Sequence, residues 1–202
     1  VRKPGRIDGR RLRSERTKQL IIEAFLSFLR ENAAMPTAAQ IAEKAGYSVR
    51  SIFERFPDLN ALKLAATDYA AAQAAALAPA RHVDADRATR LRSQVETRAG
   101  TCERGVVLWR VLLSSDDESG EIARRVAKSR EMTIARLELM YRPELSTLPE
   151  AERRDLLIAL ETLTDQENWA RMREMFELSF EEACAVWVTA LDRLLPPTPS
   201  PR

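Results

Sequence analysis

Residues 37–62 read TAAQIAEKAGYSVRSIFERFPDLNAL, and this stretch decides the fold. Thr37-Ala38-Ala39-Gln40 has the spacing of a capping box, in which the Thr hydroxyl takes a free backbone N–H while the Gln side chain reaches back. A short helix therefore starts here, with Ile41, Ala42 and Ala45 turned inward. Gly46 supplies a positive φ at no steric cost, and Ser48 is a good N-cap for a second helix over Val49–Phe56. Pro57 ends that helix. Two helices of about eight residues joined by a Gly-containing turn make a helix-turn-helix over 37–56, whose second helix is shaped for a DNA major groove. Ile52 and Phe56 are spaced to anchor it, which leaves Val49, Arg50 and Ser51 near its exposed start.

Upstream, Leu20, Ile21, Ala24, Phe25 and Phe28 recur at helical spacing, which predicts an amphipathic helix from near Ser14 to near Asn32. Residues 1–13 are Arg-rich and aperiodic and read as a disordered basic arm. Downstream, Asp58 caps a longer helix that runs toward Pro79. Further helices are predicted over 84–99, 101–115, 119–141, 149–163, 165–175 and 180–195, with loops at Asp116-Asp117, Pro143 and Pro149. No strand pattern competes, so the chain reads as all-α. Residues 14–63 form the DNA-binding head, 64–195 a helical regulatory and dimerisation body, and 196–202 a loose Pro-rich tail.

Composition narrows the classes. The 202 residues are 45% hydrophobic and 31% charged, the balance of a globular protein large enough to bury a core without disulfides. The net charge of +2 conceals an asymmetry. Residues 1–63 carry 13 Lys and Arg against 7 Asp and Glu, and the remainder 19 against 23, so a basic head precedes an acidic body. No apolar run is long enough to span a membrane, and Ile7-Asp8-Gly9-Arg10 is not the core of a secretory signal. Cys102 and Cys184 lie far apart and read as buried thiols in a reduced cytoplasm, and the single His82 offers no metal cluster. No nucleophile, carboxylate pair or phosphate-cradling loop is legible, so neither an enzyme nor a cofactor is expected.

The segment from Thr37 to Leu62 resembles the DNA-binding domain of TetR-family transcriptional regulators. The likeness covers about 50 residues: the first helix, the Thr start, the Ile41-Ala42 pair, the Ala45-Gly46 turn, the Ser48 cap, the Phe53-x-x-Phe56-Pro57 exit and Ala61-Leu62. It implies a homodimer whose two heads read a palindromic operator in double-stranded DNA, with a body cavity whose small-molecule ligand changes the spacing of the heads. It also implies that Thr37 meets a phosphate and that Tyr47, Ser48, Val49, Arg50 and Ser51 face the groove. Arg50 is the best candidate for a base contact, because its planar fork matches the O6 and N7 of guanine. The chain departs from the family pattern at Phe53, usually Tyr, and at Leu59, usually Lys. Neither Phe53 nor Leu59 can hold a phosphate, and that role is expected to pass to Arg55 and to the arm, through Arg10, Arg11, Arg13, Arg16 and Lys18.

Candidates for a cavity in the body are its aromatic and sulfur-containing side chains, Trp109, Met132, Met140, Tyr141, Trp169 and Phe176, with Met172 and Met175 beside them. Arg110 and Glu103, on an otherwise apolar helix face, are candidate orienting groups. The last helix opens with a second capping box, Ser179 to Glu182, and its polar positions form one narrow stripe. Burial on two sides follows, and Phe180, Cys184, Trp187, Val188, Leu191 and Leu195 are the expected dimer contacts. The rival readings are a TetR-like activator or partner-controlled repressor, and a helical ligand- or protein-binding module with weakened DNA affinity.

Overall fold

The computed structural model describes residues 9–32, 34–114 and 120–200. Among them all regular structure is helical. The chain divides into two compact units, Val1–Ala72 and Gln73–Arg202. The division falls inside a helix instead of at residue 63, because helix α4 (Leu59–Leu77) runs through it without a break.

In the first unit, α1 spans Gly9–Asn32. It begins about a turn earlier than Ser14, so residues 9–13 are helical and not part of a disordered arm; residues 1–8 lie outside the described ones. The run from Arg10 to Arg16 is rich in good helix formers, and the Thr17 hydroxyl bonds back to the Arg13 carbonyl at 3.0 Å. The helix stops at Asn32 through its side chain, whose Nδ2 donates to the Phe28 carbonyl at 3.0 Å. Helix α2 (Ala38–Ala45) carries the complete Thr37–Gln40 capping box and ends on Gly46 at φ 72°. Helix α3 is Val49–Phe53, shorter than the predicted 49–56. The chain then tightens into turns in which the N–H groups of Arg55 and Phe56 both reach the Ile52 carbonyl, at 3.0 and 2.9 Å. Phe56 therefore stays buried with Ile52, Ile21, Phe25, Leu29, Ile41 and Leu62, which form the core of this unit.

In the second unit, α5 is one helix over Arg87–Leu113, where two were expected. Gly100 costs such a helix only about 1 kcal/mol relative to Ala, which packing against its neighbours overrides. Around α5 pack α6 (Glu121–Met140), α9 (Gln166–Glu174) and α10 (Phe180–Leu194), while α8 (Glu150–Leu163) lies against α6. Pro143 lies in a single turn, α7 (Arg142–Leu145), instead of a loop. The Asp116-Asp117 loop lies outside the described residues.

The core of this unit corrects two sets of expectations. Met140, Tyr141 and Trp169 are fully buried and pack with Leu91, Val95 and Cys102, so they fill the core and do not line the body cavity described below. Trp169 meets Phe180 edge-on at 5.4 Å and Trp187 at 5.0 Å, and its indole N–H donates to Glu103 at 2.6 Å. Cys184, Trp187, Leu191 and Leu195 belong to the same core, so they are not dimer contacts. The apolar arc of α10 is wide because it wraps its own unit, whereas Val186 and Leu194 are the large apolar side chains it leaves in solvent.

The Pro-rich tail is held, not loose, from Pro196 to Thr198. Arg87 donates to the carbonyls of Asp192, Leu195 and Pro196 and to the Asp192 carboxylate, at 2.5–3.1 Å. The Thr198 hydroxyl donates to Glu144, a fully buried carboxylate that also pairs with the buried Arg90. Burial beside that carboxylate pushes the Tyr141 phenol well above its ordinary pKa. No helix among the described residues is long and apolar enough to cross a membrane.

Candidate nucleic-acid interface and body cavity

The geometry of the reading head follows from its caps. Ser48 Oγ accepts the Ser51 N–H at 3.1 Å and lies 3.0 Å from Ser51 Oγ, so both hydroxyls are engaged with each other at the start of α3. Ile52 is buried on one face, and Val49, Arg50 and Phe53 are exposed on the other. The Arg50 side chain is 88% exposed. Its Nε donates to Glu54 at 3.0 Å, one helical turn on, which leaves the terminal pair of nitrogens pointing away from that contact. An Arg fork presented this way can meet two acceptors side by side.

Around α3 the predicted contacts divide. Thr37 is exposed at its cap, and Tyr47, half-buried, has its hydroxyl 3.5 Å from the Thr17 hydroxyl of α1. Arg13 and Arg16 are exposed on α1, and Lys18, half-buried, sits 3.9 Å from Glu15. Arg10 and Arg11 also belong to α1, but their side chains lie outside the described ones. Arg55 departs from expectation: its Nη1 donates to the Ser51 carbonyl at 2.9 Å and its side chain is only 22% exposed. It braces the end of α3, so it is not free to take over the phosphate-binding role that Phe53 and Leu59 cannot fill.

No family model and no curated protein matches the sequence. Among solved structures, the chain is similar to one from Rhodococcus sp. assigned to the TetR family of transcriptional regulators, with a TM-score of 0.69. The match covers 89% of this chain and 98% of that one at 17% identity. The chain has the TetR-family fold. The residue pattern at 37–62 and the backbone over 89% of the chain lead to the same fold.

The body of this TetR-type fold holds a cavity of about 320 Å³ between α5, α6, α8 and the start of α9. Trp109 of α5 lines it, but the other candidates do not. Met132 and Phe176 are exposed on the surface. Arg110 is engaged in ion pairs with Glu167 at 3.0 Å and Glu174 at 2.9 Å, and Glu103 is shared by Trp169 and Arg173. Apart from Trp109 and Ile158 the wall is polar, with Arg98, Arg130, Thr133, Glu161, Asp165 and Gln166 on it. A search for aromatic and sulfur side chains passes over these residues. The signal that finds Arg98 is the run Arg90, Gln94, Arg98 at four-residue spacing on α5, set among the buried Leu91, Val95, Ala99 and Cys102. Polar groups on the inward face of a helix need partners or a ligand.

Proposed function

We propose that this protein is a homodimeric, sequence-specific DNA-binding transcriptional regulator that works in the cytoplasm as a repressor. A small molecule in the body cavity releases it from a palindromic operator. The observation that carries this reading is α3 itself: a capped helix anchored by Ile52, with Arg50 held by Glu54 and its fork in solvent. Arg50 reads a guanine edge; Val49 and Phe53 supply apolar contacts; Thr37, Tyr47, Arg13, Arg16 and Lys18 meet the phosphates. Dimerisation uses the outer face of α10, where Val186, Ala190 and Leu194 recur every four residues, with the half-buried Phe180 and Val188 at its margins. The ligand acts through a higher affinity for the state whose heads do not match half-sites about 34–36 Å apart. The reading contains no catalytic step, metal or cofactor.

Phe53, Leu59 and the inward-turned Arg55 favour a second reading, a helical binding module with weakened DNA affinity. Selection of DNA from a random pool by the full chain separates the two. Enrichment of a palindrome that Arg50→Ala abolishes supports the repressor, and failure to enrich one refutes it. Removing residues 1–8 tests the contribution of the basic N-terminus without cutting into α1.

A further inference from the structure

Two arginines stand on the wall of the body cavity, the exposed Arg130 of α6 and the half-buried Arg98 of α5, and the plane of Arg98 is fixed by its partners. Arg98 of α5 donates through Nε to the Thr164 carbonyl at 2.8 Å and through Nη1 to the Thr133 hydroxyl at 3.4 Å. Both partners are neutral, and among the described residues no carboxylate pairs with Arg98. The two bonds fix the plane of the guanidinium and consume two of its five N–H groups. Those left include both N–H groups of Nη2, and together with the second Nη1 N–H they form the end of the fork that grips a carboxylate side by side. This differs from Arg90 and Arg110, whose charges are matched by Glu144 and by Glu167 and Glu174.

The rest of the wall defines what can accompany that carboxylate. Trp109 offers an aromatic surface. Glu161 and Gln166 also stand on the wall, and the Gln166 Oε1 is buried with no hydrogen-bond partner. Both side chains offer hydrogen-bond acceptors. A volume of about 320 Å³ lies at the lower end of the range for small-molecule sites, which limits the occupant to about one ring and its substituents.

We infer that the cavity takes a small aromatic monocarboxylic acid bearing a hydroxyl or amino donor, its carboxylate on Arg98, its ring against Trp109 and its donor toward Gln166 and Glu161. The inference rests on the reading of this body as the effector-binding part of a regulator and names the chemical class of that effector. Glu161 and Asp165 offset Arg98 and Arg130 in charge, so the wall has no positive surplus for a dianion such as a phosphate monoester, and a purely apolar ligand leaves the free end of the Arg98 fork without an acceptor.

Isothermal titration calorimetry on the full chain tests it with benzoate, 4-hydroxybenzoate, 4-hydroxyphenylacetate, 4-hydroxybenzamide and acetate. At least one hydroxylated acid binds, and the amide and acetate each bind at least about tenfold more weakly than that acid, the loss expected for one charge-assisted contact or for the ring. Arg98→Gln weakens the acid by a similar factor and leaves the amide unchanged. Equal affinity for acid and amide, or no binding by any of the three aromatic acids, overturns the inference. The acid and amide comparison uses the unaltered protein, so it decides the matter even where Arg98→Gln fails to fold. No DNA is present in this experiment, so its failure is that of the site, whereas failure to enrich a palindrome is that of the regulator reading.

Discussion

Glu144→Ala is the substitution to which the body is expected to be most sensitive. Glu144 is fully buried and accepts hydrogen bonds from Arg90, itself only 4% exposed, and from Thr198 of the tail, with Arg87 at 3.7 Å. Removing the carboxylate leaves the Arg90 charge in a low-dielectric interior without compensation, a change that costs about 3–5 kcal/mol. An exposed pair such as Arg50 and Glu54, 88% and 53% exposed, contributes only about 0–1 kcal/mol. At about 2–4 °C per kcal/mol for a chain of this length, the melting temperature of the body falls by roughly 6–20 °C. Urea denaturation followed by far-ultraviolet circular dichroism measures the loss. Removing both charges, Glu144→Met with Arg90→Met, recovers most of it, because the penalty comes from the orphaned charge and not from the missing attraction. The Arg90 Nε and Glu144 Oε2 are buried without hydrogen-bond partners, which reduces the net worth of the intact pair further. A loss below about 1 kcal/mol for Glu144→Ala, or a double variant as unstable as the sum of the single ones, refutes the reasoning.

Three further outcomes are expected. Thr37→Ala removes a complete capping box and destabilises the head by about 1 kcal/mol, read from the urea midpoint, whereas Thr37→Ser restores it. Burial raises both Cys102 and Cys184 to about 11, so neither reacts with a disulfide reagent at pH 8 until the protein is unfolded. Because their folded pKa lies above the unfolded value near 8.5, the thiols stabilise the fold fully below that pH and lose this contribution as pH rises toward 11. Replacing both with Ala flattens that part of the stability profile. Finally, Arg13→Ala and Arg16→Ala each reduce the slope of log K against log salt by about 0.9 on the selected DNA if each meets one phosphate, and an unchanged slope assigns the residue no phosphate.

The head was legible in the sequence because its determinants are local. A capping box, a glycine at positive φ and a serine cap each act within four residues, and all three stand where residues 37–51 predict them. The exit of α3 was less legible, since whether Phe53 to Phe56 continue a helix or tighten into turns depends on how Phe56 reaches the core. The body was legible as helices but not as surfaces. On α10 an apolar arc reads the same whether it covers its own core or a partner, and the packing of Trp187 against Trp169 decides it. Nothing local distinguishes the buried Met140 from the exposed Met132, eight residues apart on α6. Apolar side chains are interchangeable to a sequence reading in a way that capping residues are not.

The polar stripe on α5 shows how structural and functional groups come apart once partners are known. Arg90, Gln94 and Arg98 share one spacing and one face, and the sequence offers no reason to rank them. Arg90 meets a buried carboxylate, which cancels its charge. Gln94 accepts from Arg136 at 2.6 Å, and Arg136 in turn donates to the Ala78 carbonyl at 2.6 Å, so both side chains are consumed in tying the segment after α4 to α5 and α6. Arg98 meets only neutral oxygens and stands on a cavity wall. Among the described residues no carboxylate pairs with it directly, and under the proposed reading the acid ligand supplies that partner. The proposal that Arg98 binds a ligand therefore rests not on its residue type but on the contrast with its two neighbours on the same face, whose requirements the fold itself meets.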